Sequence, residues 1–328
     1  MIDKKEMIHC EVWRKEICDY EYEPGQTNIE SGVVHCDLQH IAEFFNRIRG
    51  TKNKYVVISS RSDYGLCYQK HFPVYGDLHK AVQLFVTREH GYRNLTLQAR
   101  LDKERCASTD LYSIKCYAFT DSTFNHIPDN VQHWFLTNNM VNDDPRIEGI
   151  PFGVNSVDGM KSVNSIFNLA KKIEEGKIKR DDWMYVNFQF YTPERLDLYV
   201  HYENFTNKDV STCEHDIKYE DYLKRLASHK FCLCPNGNGV DCYRTWECLY
   251  LGCVPIIQLH PGTSYLADKN LPIVMSHSLF NIGKLNLRPL LTHVQTSDGI
   301  SMEAAKLSYW KNKIDQKREL LCATLSSS

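Results

Sequence analysis

Between His229 and Ile257 the chain reads HKFCLCPNGNGVDCYRTWECLYLGCVPII, the stretch whose residue types and spacing are best suited to chemistry. Phe231 to Cys234 has the look of a buried strand running into Pro235-Asn236-Gly237-Asn238-Gly239, and Asp241 stands where a helix begins. Glycines in such a turn permit positive φ and let a ligand approach the backbone closely. A helix start adds free N–H groups and the positive end of the helix dipole, so the expected occupant is an anion. Arg244 and Glu247 follow three residues apart and project from one face of that helix. A guanidinium there can fork two phosphate oxygens, and a carboxylate can accept bonds from a ribose diol. Trp246, Leu249 and Leu251 are expected in the core, Gly252 at the helix stop, and Val254-Pro255-Ile256-Ile257 in the next buried strand.

An Arg and a Glu at this spacing are commonly a solvated ion pair of little weight. Their placement after a strand and a Gly-rich turn, and before a second strand, is the order a nucleotide-diphosphate site needs. The turn is neither G-x-x-x-x-G-K-[ST] nor G-x-G-x-x-G, so a P-loop NTPase and a redox dinucleotide fold are both unsupported. A methyltransferase reading would need the Gly-rich turn after the first strand, and here it comes past residue 230.

The elements that must position this segment alternate along the chain. After some 40 irregular residues, LQHIAEFFNRIRG has apolar positions at helical spacing (Leu38, Ile41, Phe44, Phe45, Ile48), and KYVVISS is a buried strand followed by the polar loop RSDYG. Shorter strands are expected in SIKCYAFT and HWFLTN. The stretch from residue 160 to 182 is a charged amphipathic helix with a Gly176 stop and a polar tail. WMYVNFQF opens a further strand, and TPERLDLYVHYEN a helix with Thr192 as N-cap and Pro193 in its first turn. YEDYLKRLASHK and DCYRTWECLYLG are helices, and SMEAAKLSYWKNKIDQKRELL is a long closing one. This alternation predicts parallel sheets with right-handed crossovers: an α/β protein with two Rossmann-like units facing a cleft, over residues 1–165 and 183–328, joined by a linker or helix at 166–182. The last helix is expected to pack back on the first unit.

The 328 residues carry 39 Lys plus Arg against 41 Asp plus Glu, a net charge of -2 that recruits neither nucleic acid nor anionic lipid. No apolar run has the length of a membrane span, and the N-terminus has no secretory pattern. Thirteen cysteines without a repeating spacing argue against a secreted disulfide framework, so a reducing cytoplasm is the expected setting. Cys232, Cys234, Cys242, Cys248 and Cys253 lack metal-ligand spacing and read as small buried hydrophobes, so no metal is expected.

The strand, P-x-G-x-G, R-x-W-E and G-x-x-P-I pattern of FCLCPNGNGVDCYRTWECLYLGCVPII resembles the exostosin-like glycosyltransferases of GT-B architecture. Weaker similarity runs through YVNFQFYTPER, IPDNVQHWFLTNN, IEGIPFGVN and VVISSRSDYG, so it touches residues 55 to 260. With neither a membrane anchor nor lumenal cysteines, a microbial or viral cytoplasmic type is expected rather than an animal one. The resemblance implies transfer of a sugar, with inversion, from a nucleotide-sugar to a hydroxyl of a growing glycan or glycoprotein. UDP is expected as the nucleotide, ahead of GDP, with no cofactor. In such a displacement the leaving diphosphate gathers charge, which Arg244, the amides of Asn236, Gly237, Asn238 and Gly239, and the helix start at Asp241 are placed to meet without a divalent ion.

The remaining task is removal of the acceptor's proton, which needs a carboxylate or His from the first unit. Asp63, in the loop after the Val56 to Ser59 strand, is the expected base, with His40, His71 and His79 as rivals. Asn187 at a strand end and Arg195 in the next helix are expected to meet the donor from the other side, and Asn138 to hold acceptor or interface. A catalytically silent nucleotide- or glycan-binding module of the same fold is the competing reading.

Overall fold

The computed structural model describes residues 1–60, 65–68, 116–119, 127–139, 144–190, 193–204, 210–237, 239–260 and 262–322. Two five-stranded sheets, every pairing parallel, organise the chain. It is a mixed α/β structure consistent with a GT-B-like glycosyltransferase.

The first sheet is built from β1 (Tyr20–Glu21), β2 (Gly32–His35), β3 (Tyr55–Ser59), β6 (Val131–Leu136) and β7 (Ile147–Gly149), lying side by side in that order. A separate parallel pair joins β4 (Gly65–Tyr68) to β5 (Cys116–Phe119). Alternation along the strands sorts the side chains onto two faces. Val34, Val57, Trp134 and Leu136 pack with Ile41, Phe44, Phe45 and Ile48 of α1 (Ile41–Ile48). Val33, Val56, Ile58 and Phe135 face the other way, toward Trp310 and Ile314 of the closing helix α7 (Leu307–Cys322), which packs against β2, β3 and β6.

The first 40 residues are more ordered than their turn-rich composition suggests. They hold a short π-helical turn at Trp13–Ile17 and the strands β1 and β2, both too brief for their pattern to stand out. The 160–182 region is a helix over Lys161–Glu174 (α2), ended by Gly176 at φ +70°.

The second sheet comprises β8 (Asp182–Asn187), β9 (Val210–Glu214), β10 (His229–Cys234), β11 (Val254–Gln258) and β12 (Val274–Ser276), arranged β12-β11-β10-β8-β9. Counted from its own first strand this is the order 2-1-3-4-5, so the winding reverses between β8 and β10. Helices lie on both faces: α3 (Pro193–Glu203) and α6 (Leu287–Thr296) cover Met184, Val186, Phe231 and Leu233. On the opposite face α2, α4 (Tyr219–Ser228) and α5 (Tyr243–Leu251) cover Tyr185, Cys232 and Cys234. That core is continuous with the α7 side of the first sheet.

Candidate functional site

In open α/β sheets the crevice for ligands opens beyond the carboxyl ends of the strands, where the winding reverses. Here that point lies past Asn187, which ends β8, and past Cys234, which ends β10. A cavity of about 440 Å³ occupies the spot. Asn187, Gln189 and Arg195 line it from β8 and α3, Gly237 and Gly239 from the turn, Arg244 and Glu247 from α5, Tyr219 and Tyr222 from α4, and Phe152 from beyond β7.

The turn itself is held from beneath. Arg195 is buried, and its Nε donates to the Asn236 carbonyl at 2.7 Å while Nη2 donates to the Pro235 carbonyl at 3.1 Å and Nη1 to Gln189 at 3.3 Å. Its guanidinium therefore works on the backbone of the turn. Gly237 is required for a different reason than the sequence suggests. It does not occupy the left-handed region; instead a Cβ there would stand 2.9 Å from Arg195 Nη2. Its amide is also spent, donating to the Gly239 carbonyl at 2.9 Å, so the ring of free turn amides expected from the sequence is without this member. Asn236 is buried, with Nδ2 3.5 Å from Gln258 Oε1. Asn238 lies outside the described residues.

Asp241 anchors the turn to the first half of the chain. Its Oδ2 accepts from the Phe152 amide at 2.8 Å and the Tyr265 hydroxyl at 2.9 Å, and Oδ1 accepts from Trp246 Nε1 at 2.8 Å. Its own amide donates to Oδ1 of Asn138 at 2.8 Å, with Asn138 buried and at φ +54°. Burial raises the Asp241 carboxyl to about 6 despite those three donors. The structure thus places Asn138 and Asp241 in one hydrogen-bonded contact. Helix α5 starts next, with Cys242 as an N-cap whose side chain makes no capping bond and donates instead to the Pro235 and Gly239 carbonyls, and ends at Gly252, φ +70°, whose amide bonds the Leu249 carbonyl while that of Cys253 bonds the Cys248 carbonyl.

The two charged residues of α5 differ sharply in how they are satisfied. Glu247 is buried; Oε1 accepts from Tyr219 at 2.9 Å and Oε2 from Tyr222 at 2.8 Å. Burial nonetheless pushes its carboxyl above the ordinary range, outweighing the Tyr222 bond and the Arg244 charge. Arg244 is half-buried, and its Nε is sealed from solvent with no hydrogen-bond partner. Among the described residues its guanidinium makes no ion pair; it faces the Tyr222 ring, 5.6 Å from centroid to Cζ. Burial pulls its pKa down, but Tyr222, Cys232, Cys234 and Glu247 outweigh that, so it stays charged. A partly buried cation with no carboxylate in contact is well completed by an anionic ligand. The solvated i,i+3 ion pair weighed from the sequence does not form.

Asn187 is buried at the rim and donates through Nδ2 to the Glu214 carbonyl at 3.0 Å. Asp63, His71 and His79 lie outside the described residues, and His40 stands at the N-terminus of α1. Cys232, Cys234, Cys248 and Cys253 of this segment are buried, and three of them meet. Strand β10 puts Cys232 and Cys234 on one face and α5 lays Cys248 over them, so the three sulfurs lie within 4.8 Å of one another, fully buried.

Sequence reading did not find Tyr219, Tyr222, Gln189 or Tyr243. The two tyrosines share a helix face at i and i+3, a visible signal, but only the packing of α4 on α5 shows what they touch.

Residues 191–269 match the Exostosin GT47 domain. The Exostosin GT47 match covers α3 through β11, so it contains the turn, Arg195, Asp241, Arg244 and Glu247. The chain is also similar to a protein of Arabidopsis thaliana described as a probable glycosyltransferase, 37% identical over 65 residues, which is 20% of this chain and 12% of that relative. The chain thus aligns with only a small part of the curated relative it matches.

Proposed function

We propose that this protein is a glycosyltransferase that moves a sugar from a nucleotide-sugar to a hydroxyl of a glycan or glycoprotein. One observation carries the reading: the Arg244 guanidinium lies unpaired in a cavity at the winding reversal of the second sheet, inside the stretch that matches the Exostosin GT47 domain. A diphosphate supplies the missing counter-charge. Asn187 and Glu247 offer polar groups at the same rim, and 440 Å³ is within the range of small-ligand pockets. UDP-sugar is the proposed donor, with GDP-sugar second.

In the proposed step the acceptor oxygen attacks the anomeric carbon from the face opposite the diphosphate. The new carbon–oxygen bond forms as the bond to the phosphate oxygen breaks, which inverts the configuration. The diphosphate leaves with the bonding pair, and Arg244 holds that charge in a fixed position, the kind of preorganised contact that lowers a barrier most. The acceptor's proton passes to Asp63, four residues after β3. No divalent ion is assigned a part, so EDTA should leave turnover intact; loss of activity restored by Mn²⁺ overturns that assignment.

The test is a thermal-shift screen over UDP, GDP, CMP and their common sugars, followed by transfer assays with the best donor. UDP stabilisation with measurable transfer supports the full reading. Stabilisation without transfer or donor hydrolysis would make the protein a silent binding module, and no stabilisation by any nucleotide would remove the site.

A further inference from the structure

Arg244 and Glu247 sit one turn apart on α5, a spacing at which opposite charges ordinarily pair. Here they do not: no nitrogen of Arg244 comes within ion-pair distance of a described carboxylate, and its Nε has no partner. The reason is on the neighbouring helix. Tyr219 and Tyr222 are themselves one turn apart on α4, so their two hydroxyls are spaced to reach the two oxygens of a single carboxylate on the helix packed against them. Tyr219 takes Oε1 at 2.9 Å and Tyr222 takes Oε2 at 2.8 Å. The Tyr222 ring also faces the guanidinium, at 5.6 Å. One aromatic residue therefore touches both charges and keeps them apart.

We propose that Tyr219 and Tyr222 are positioning residues that hold the Glu247 carboxylate of α5 against α4, so that Arg244 stays open to an anionic ligand. The idea rests on the reading of the cavity as an anion site. Without the phenols, a buried carboxylate short of donors would turn to the nearest cation, and the guanidinium would be quenched from within its own helix. The phenols are suited to this work because they donate to a carboxylate yet carry no charge that would compete with Arg244 for a phosphate. Sequence alone shows an Arg and a Glu poised to neutralise each other; the α4 tyrosines engage the Glu and leave the Arg open to the cavity.

The experiment uses inorganic pyrophosphate as the probe, by calorimetry on the full chain, because it reports on Arg244 without engaging ribose contacts. The wild-type protein should bind it. The double variant Tyr219→Phe/Tyr222→Phe should bind at least ~10-fold more weakly, the scale of one charge-assisted hydrogen bond diverted to a competing carboxylate. Adding Glu247→Gln to that double variant should restore most of the affinity, since an amide cannot quench the guanidinium. If the wild type ignores pyrophosphate, the anion-site reading itself fails. If the double variant binds as well as wild type, or if Glu247→Gln gives no rescue, the reading stands and the positioning role is overturned, because a mere packing defect would not be repaired by removing a charge. Should the double variant fail to fold, Tyr219→Phe with and without Glu247→Gln asks the same question at the less buried phenol.

Discussion

The two sheets have the same number of strands and the same parallel pairing, yet their carboxyl edges are in different chemical states. At the first, several neutral polar groups are turned on one another: His35 Nε2 meets Ser60 Oγ at 3.1 Å, Ser59 Oγ donates to the Cys36 carbonyl at 2.7 Å and accepts from Trp134 Nε1 at 3.0 Å, and Asn138 accepts from the Asp241 amide, while Thr137 Oγ1 makes no hydrogen bond among the described residues. At the second, Arg244 Nε is left without a hydrogen-bonding partner beside a cavity. Strand order accounts for much of the contrast. The described strands of the first sheet run β1-β2-β3-β6-β7 with no reversal, while the second reverses between β8 and β10 and leaves a crevice there. Similar secondary structure can therefore yield one edge whose described groups are neutral and largely bonded to one another, and one that presents a cation to a cavity.

The comparison breaks most visibly at Asp63. If the first half supplies the base, Asp63→Asn should abolish transfer while leaving UDP affinity nearly intact; retained transfer would leave that half a scaffold. Arg244→Ala comes next and should lower kcat/KM by about 2–4 kcal/mol, the usual loss for one preorganised charged donor, with UDP binding weakened as well. Unchanged kinetics would remove the available edge.

Gly237→Ala should cost about 1–3 kcal/mol in urea unfolding, since the new methyl meets an Arg195 that is tied to two carbonyls and cannot swing away freely. A neutral effect would show that the turn is softer than its hydrogen bonds imply.

Asp241 sharpens the comparison through pH. Its folded carboxyl is raised to about 6 from 3.8, so the native state holds that proton more tightly than the unfolded chain. The stability it contributes is complete below about pH 4 and is lost as pH rises through about 6. Asp241→Asn should flatten that part of the stability profile, measured by urea midpoints from pH 4 to 7; an unaltered slope would assign it to other groups. Ser60→Ala, at the first sheet's carboxyl edge, should shift stability by about 1 kcal/mol and leave UDP affinity unchanged.

What could be read from the sequence was local. The strand, Gly-rich turn, helix and strand from His229 to Ile257 announced themselves because each carries its own signal: four consecutive apolar residues, two glycines, a glycine stop, and a proline near a strand start. The buried strand at Tyr55 was legible for the same reason. Strands β1, β7 and β12, two or three residues long, hold their conformation by pairing with longer neighbours, which no window of sequence displays. At the site, residue types were readable but their employment was not. Arg195 reads as a phosphate ligand, and its described bonds go to three carbonyls and the Cys242 sulfur, while Gly237 reads as a φ requirement and is a spatial one. Glu247 looked like Arg244's partner until α4 brought in two phenols. Each of these was decided by a residue distant in the chain, through packing that composition and periodicity do not encode.

Helix α5 has one further attachment. The hydroxyl of Tyr250, near its end, accepts from the amide of Ile8 at 2.7 Å and donates to the carbonyl of Ala305 at 2.9 Å. A single phenol thus rivets two segments almost 300 positions apart to the rod that bears the guanidinium. Nicks, fusions or trimming near either segment would be felt as slack at the ligand's seat, and a label attached beside Ile8 would sense occupancy without touching the pocket.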